Sequence, residues 1–177
     1  MDYKKFIGVI NDFPKKGISF KDISPLLKDK EAFASCIDDL AKMAEKYHPT
    51  VILAPDARGF IFGAALALKM GLGFVMARKP GKLPGNNIKY SYSLEYGENS
   101  LEVRENSFTK EDRVLLVDDL LATGGSLKAV EEIARKAGGT PVAALAVIYL
   151  RELHGEKQMG VPTEWLIDLS AEQGVDD

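Results

Sequence analysis

The sequence predicts an α/β fold, a mostly parallel twisted sheet doubly wound by helices on its two faces, and three observations predict it. Short apolar runs at residues 51–54, 73–77, 113–117 and 141–150 have the length and density of buried parallel strands. Helical stretches separate them: one amphipathic over residues 30–47, one apolar almost throughout over 59–70, one expected over 126–137. Proline and glycine punctuate the boundaries, at Pro49, Pro55, Gly71, Gly138 and Gly139. Strand, helix, strand, helix, strand in that order implies a sheet covered on both sides.

Taken in order, residues 2–11 read as a short N-terminal helix and residues 12–22, with Pro14 and Gly17, as a structured loop. Phe33, Ile37, Leu40, Ala41, Ala44 and Tyr47 make the apolar stripe of the first long helix, which Pro49 ends. Gly71 suits the left-handed C-terminal cap of the helix over 59–70. Residues 78–100 then break the rhythm. They are polar, carry Gly81, Pro84, Gly85 and Gly97, and alternate aromatics at Tyr90, Tyr92 and Tyr96. An irregular insertion of this length in a compact domain reads as a functional flap. Residues 101–104 are expected to return as a strand, a last strand lies near 165–169, and the acidic end from 166 to 177 is expected to fray.

A length of 177 residues suits one domain over 1–177, with 12–25 and 78–100 as subregions. Apolar residues make up 46% and charged residues 28%, which excludes disorder as a description of the whole. Lys and Arg number 23 against 26 Asp and Glu, a net charge of -3, so a general nucleic-acid binder is excluded and any anion site must be local. The apolar runs fall well short of the roughly 20 residues of a membrane helix. Cys36 is the single cysteine and reads as packing, not as half of an intramolecular disulfide. The N-terminal stretch has no signal-peptide profile, so cytoplasmic residence is expected. His48 and His154 stand at no metal-ligand spacing and read as surface residues, and Trp165 reads as core.

The chemistry concentrates in Val114-Leu115-Leu116-Val117-Asp118-Asp119-Leu120-Leu121-Ala122-Thr123-Gly124-Gly125-Ser126. A buried strand delivers Asp118 and Asp119 to its solvent-accessible C-terminal end, where open α/β sheets bind ligands. Gly124 and Gly125 let backbone amides close around an oxyanion, Thr123 and Ser126 add hydroxyls, and the following helix adds the positive end of its dipole. Phosphate donors directly beside paired carboxylates suit a ligand with both phosphate and hydroxyls, such as a ribose 5-phosphate. Neither G-x-x-x-x-G-K-[ST] nor G-x-G-x-x-G occurs in the chain.

This segment resembles the phosphoribosyl-diphosphate motif of the type I phosphoribosyltransferases, and its Leu-Leu-Ala-Thr-Gly-Gly variant is similar to that of the family's adenine-using members. Four further segments agree. Asp12-Phe13-Pro14 through Phe20-Lys21-Asp22-Ile23-Ser24-Pro25 resembles the base-side loop, and Asp56-Ala57-Arg58-Gly59-Phe60 the Arg-Gly-Phe turn. Arg78-Lys79-Pro80-Gly81-Lys82-Leu83-Pro84-Gly85 is similar to the basic loop, and Tyr92-Ser93-Leu94-Glu95-Tyr96-Gly97 to the flap. The resemblance runs from residue 12 to about 160, and the segment after Leu150 is where members of the family vary.

The resemblance implies transfer of a phosphoribosyl group from 5-phospho-α-D-ribose 1-diphosphate to adenine, giving AMP and diphosphate, with Mg²⁺. It implies a cytosolic homodimer of purine salvage, with a small hood formed by the N-terminal part and the flap. The 5′-phosphate is expected on Ala122, Thr123, Gly124, Gly125 and Ser126, and the ribose on Asp118 and Asp119. Arg58, Arg78, Lys79 and Lys82 are expected to face the diphosphate. Adenine is expected between Phe20 and Leu150, its edge read by backbone groups near Ser19 and Lys21. Glu95 is the candidate for proton transfer at adenine N7, Tyr96 belongs to the flap, and Mg²⁺ is carried mainly by the substrate diphosphate rather than by a protein-only site. A non-catalytic sensor using the same pocket would be expected to carry an added nucleic-acid-binding element or a concentrated basic face, and neither is read here.

Overall fold

The computed structural model describes residues 1–93 and 97–170. Its centre is a five-stranded sheet in which β3 (Val51–Pro55), β4 (Gly73–Ala77), β7 (Arg113–Leu121), β8 (Thr140–Leu150) and β9 (Thr163–Leu169) lie in the order β4-β3-β7-β8-β9. All four neighbouring pairs are parallel. The near-continuous apolar runs of the three central strands, β3, β7 and β8, follow from burial on both faces. Ile52, Leu115, Val117 and Leu145 pack on one side against α2 (Lys30–Glu45) and α3 (Arg58–Met70). Leu53, Val114, Leu116, Ala144 and Ala146 pack on the other against α4 (Gly125–Lys136). The expected doubly wound architecture is therefore present.

Local chemistry sets the helix ends. Asp29 caps α2, its Oδ1 accepting from the amides of Glu31 at 3.1 Å and Ala32 at 2.9 Å, an arrangement worth about 1 kcal/mol. A short helix, α1 (Ser24–Lys28), precedes it. The second long helix ends at Met70 with Gly71 at φ 68°, the left-handed cap that glycine adopts without strain. Gly63 allows the same helix to lie close to the sheet, because a Cβ there would stand 2.8 Å from Ala54 Cβ. Cys36 is fully buried in this layer, as expected of packing, and His48 and His154 are exposed.

Several expectations are corrected. Residues 2–11 are not a helix. Asp2 caps a single 3-10 turn, Tyr3–Phe6, and the hydroxyl of Tyr3 donates to Asp39 of α2. The chain then extends as β1 (Gly8–Asn11), where β-branched Val9 and Ile10 favour a strand. Its partner is β2 (Ser19–Asp22), antiparallel, inside the stretch read as a loop. The first long helix stops at Glu45, ahead of Pro49.

Residues 78–100 are only partly irregular. β5 (Asn87–Ser93) and β6 (Glu98–Arg104) form an antiparallel hairpin with Tyr90 opposite Leu101. Ile88, Tyr90 and Tyr92 pack against the α4-side core, so the aromatic alternation is a strand of period two. Residues 166–169 do not fray but complete β9. Residues 171–177 lie outside the described residues. Trp165 is half-buried, its ring stacked on Tyr149 at 3.9 Å between centroids.

Candidate functional site

From β3 the chain leaves through α3 toward the β4 edge, whereas from β7 it leaves through α4 toward β8. The two connections diverge, which opens a crevice beyond the C-terminal ends of β3 and β7. A cleft of about 330 Å³ occupies it, walled by Pro55, Asp56, Ala57 and Arg58 on one side and by residues 118–127 on the other.

One end of the cleft is built from backbone. After Leu121 the chain turns through Ala122 and Thr123 to Gly124, which caps α4 at φ 89° with no capping side chain. Lys128 N donates to Gly124 O at 2.8 Å, the first helical hydrogen bond. The amides of Gly125, Ser126 and Leu127 precede it and have no acceptor within the helix. They line the cleft at the positive end of the helix dipole. All five residues expected to take a phosphate, Ala122, Thr123, Gly124, Gly125 and Ser126, line this space.

Asp118 and Asp119 line it too, but their expected exposure is corrected. They are 7% and 6% exposed, because β7 continues past them to Leu121 and Asp118 pairs in register with Ala146. Gly59 closes over Asp118, and a Cβ there would stand 2.9 Å from Asp118 Oδ1. That oxygen accepts from the Asp119 amide at 2.8 Å. Burial first, and then the neighbouring Asp119 carboxylate, hold the Asp118 carboxyl well above the ordinary carboxylate range. Asp119 Oδ2 lies 2.8 Å from Arg58 Nε, yet it is a buried oxygen without a hydrogen bond. The contact is an ion pair whose N–H is not aimed at the oxygen.

The basic residues separate into two groups. Arg58 stands at the site, its Cζ 5.1 Å over the ring of Phe20 and its Nη1 donating to Lys21 O at 3.4 Å. Arg78 Nε donates to Asp56 Oδ2 at 3.1 Å, so it reaches the cleft wall through that carboxylate. Lys79 and Lys82 are exposed and are not part of the cleft lining.

A second cavity of about 380 Å³ adjoins the first and shares Arg58, Leu120 and Ala122 with it. Ser19, Phe20, Lys21 and Leu150 all line it, together with Leu153. Phe13 packs edge-on against Phe20 at 5.3 Å. Lys21 is buried, and its Nζ donates to Ser19 Oγ at 2.7 Å. Burial pushes its pKa down, and the charge of Glu152 opposes that shift. Glu95 and Tyr96 lie outside the described residues.

Asp56, Leu153 and the Lys21 side chain were not singled out as site groups by sequence. Asp56 precedes the Arg-Gly-Phe turn and Leu153 lies in a polar run, and nothing local marks either as facing a cavity. Among the described residues no three His, Cys, Asp or Glu side chains converge to hold a metal ion. No helix among them is long and apolar enough to cross a membrane.

Comparison with known proteins gives one consistent result. The phosphoribosyl transferase domain family matches residues 23–164. An adenine phosphoribosyltransferase of Clostridium acetobutylicum is 46% identical over 160 residues, 90% of this chain and 93% of the relative. A crystal structure of adenine phosphoribosyltransferase from Thermoanaerobacter pseudethanolicus superposes with a TM-score of 0.92 at 46% identity, covering 95% of this chain and 98% of that one. The Saccharomyces cerevisiae enzyme, complexed with D-2,5-dideoxy-2,5-imino-altritol 1,6-bisphosphate and adenine, gives 0.89 at 33% identity, covering 93% and 96%.

Proposed function

Since the chain belongs to the phosphoribosyl transferase family, among its adenine phosphoribosyltransferases, we propose how its own residues carry out the purine-salvage reaction of adenine with 5-phospho-α-D-ribose 1-diphosphate to give AMP and diphosphate. The observation that carries the assignment of roles is the adjacency of the two cavities, which meet at Arg58, Leu120 and Ala122. A cleft suited to phosphate and hydroxyls adjoins there a cavity lined by Phe20, Leu120, Leu150 and Leu153 with Ser19 and Lys21 beside them.

The 5′-phosphate sits on the amides and hydroxyls of Ala122, Thr123, Gly124, Gly125 and Ser126. The ribose hydroxyls donate to Asp118 and Asp119. Adenine lies between Phe20 and Leu150, with backbone groups of Ser19 and Lys21 at its edge. Adenine N9 bonds to the anomeric carbon as the bond to diphosphate breaks, and the electron pair leaves with the diphosphate. The proton on N7 passes to the carboxylate of Glu95. Positive charge developing on the sugar ring faces Asp118 and Asp119, and negative charge on the leaving group faces Arg58, Arg78, Lys79 and Lys82. The flap over residues 78–100, to which Tyr96 belongs in sequence, closes over the site and excludes water, which would otherwise hydrolyse the activated sugar.

Two cleft carboxylates, one with a buried oxygen lacking a hydrogen bond, suit a magnesium ion held chiefly by substrate oxygens. When bound, Mg²⁺ neutralises charge on the diphosphate. The chain works in the cytoplasm as a homodimer, a single domain over 1–177 in which the basic loop of one subunit serves the other.

The test is AMP or nucleotide formation from adenine, hypoxanthine and guanine under identical conditions. Adenine should be preferred by about 10⁴-fold, since a site that pairs with its amino group leaves buried partners unpaired against an oxo-purine. Faster reaction with hypoxanthine or guanine overturns the base assignment.

A further inference from the structure

We propose that Gly155 is a positioning residue for the phosphate-binding turn, and that the segment it belongs to couples that turn to the base pocket. The inference rests on the phosphate site assigned above and deepens it. After Leu150 the chain passes through a 3-10 turn, Arg151–Leu153, in which Leu153 lines the base pocket. It reverses at His154, φ 49°, and buries Gly155 against the turn that precedes α4.

The contact is backbone on backbone. A Cβ on Gly155 would fall on the carbonyl oxygen of Ala122 and stand 2.7 Å from the amide nitrogen of Gly124 and 2.9 Å from the carbonyl carbon of Thr123. Reciprocally, a Cβ on Gly124 would fall on the carbonyl oxygen of Gly155 and stand 3.1 Å from Gln158 Cβ. The shortest contact on each side is to backbone, which cannot swing aside as the end of a side chain can. The far end of the segment is equally fixed, since Gly160 N donates at 3.0 Å to Oε2 of Glu131, a fully buried acid of α4 ion-paired with Lys128 and Arg135.

The atoms that set the direction of the phosphate amides are therefore held from behind by a glycine five residues past the end of the pocket residue Leu150. A displacement of the turn reaches Leu153 through two residues of chain. Phosphate occupancy and the outer wall of the base pocket move together.

The experiment measures ribose 5-phosphate and diphosphate binding to the full chain by calorimetry, for the wild type and Gly155→Ala. A methyl group forced into this contact should weaken ribose 5-phosphate about tenfold or more, leave diphosphate affinity unchanged, and raise the KM for phosphoribosyl diphosphate more than it lowers kcat. Equal ribose 5-phosphate affinity in the two proteins, or equal loss of both ligands in a folded variant, overturns the inference. Should the variant fail to fold, hydrogen exchange on the wild type decides. Ribose 5-phosphate should protect the amides of residues 155–158 along with those of 123–126, and protection confined to 123–126 overturns the coupling. A wild type that binds no ribose 5-phosphate overturns the assigned phosphate site and this inference with it, whereas binding that Gly155→Ala leaves intact overturns this inference alone.

Discussion

Arg58 Nε lies 2.8 Å from Asp119 Oδ2 while its guanidinium carbon stands 5.1 Å over the Phe20 ring. One side chain thus spans the carboxylate floor of the cleft and the aromatic face of the base pocket. It is also the first residue of α3, where a cation opposes the helix dipole and gains from a nearby anion.

Replacing Arg58 by Ala should therefore lower kcat/KM for phosphoribosyl diphosphate by about 10²-fold, the scale of losing one preorganised charge partner. Arg58→Lys restores the charge but neither the planar fork nor the stacking, and should recover only part of the loss. Steady-state AMP formation measures both. Activity of Arg58→Ala within threefold of the wild type, roughly 0.6 kcal/mol, would remove this residue from the mechanism.

Asp118 carries a pH signature. Its carboxyl is held well above the ordinary range by burial and by Asp119, so the folded chain binds that proton more tightly than the unfolded chain. The resulting stability is fully present below about pH 4, the unfolded carboxylate value, and is lost as pH rises through the folded pKa. Asp118→Asn removes the penalty of a buried ionised group. Thermal unfolding should show the variant melting about 2–4 °C above the wild type at pH 8 for each kcal/mol recovered, with the gap closing toward pH 4. Turnover should nevertheless fall by about 10²-fold, because a cation-stabilising carboxylate is gone. A variant that melts below the wild type at pH 8 contradicts the burial argument.

Glu95 is assigned to the proton on adenine N7, a role testable by its pH profile. Glu95→Gln should lower kcat by about 10²-fold and remove the acid limb of the kcat profile, since the amide cannot accept the proton. An unchanged profile would leave Glu95 without an acid–base role.

How much of this was legible in the sequence differs by element. β4 falls at residues 73–77 as read, and Gly71 caps the preceding helix, because the β-favouring Phe74 and Val75 follow directly on the glycine that a left-handed cap selects. The paired acids and the turn from Ala122 to Ser126 were legible for a related reason: strand, acids, glycines and helix start are contiguous. Exposure was misread, because where a strand ends relative to its neighbour is set by pairing, and β8 holds β7 through Leu121. The N-terminal hairpin was missed because a four-residue strand carries too little periodicity to separate it from a frayed helix turn. Tyr90 and Tyr92 did carry a strand signal, but the glycines around them outweighed it. The meeting of Gly124 with Gly155 could not be read at all, since it is made by residues that only the fold brings together.

The most direct measurement is a crystal structure of the chain with AMP. The account expects the phosphate oxygens about 2.7–3.2 Å from the amides of Gly124, Gly125 and Ser126, the ribose hydroxyls on Asp118 and Asp119, and the base against Phe20. A nucleotide bound with its phosphate away from that turn, or with its ribose away from the two acids, would contradict it.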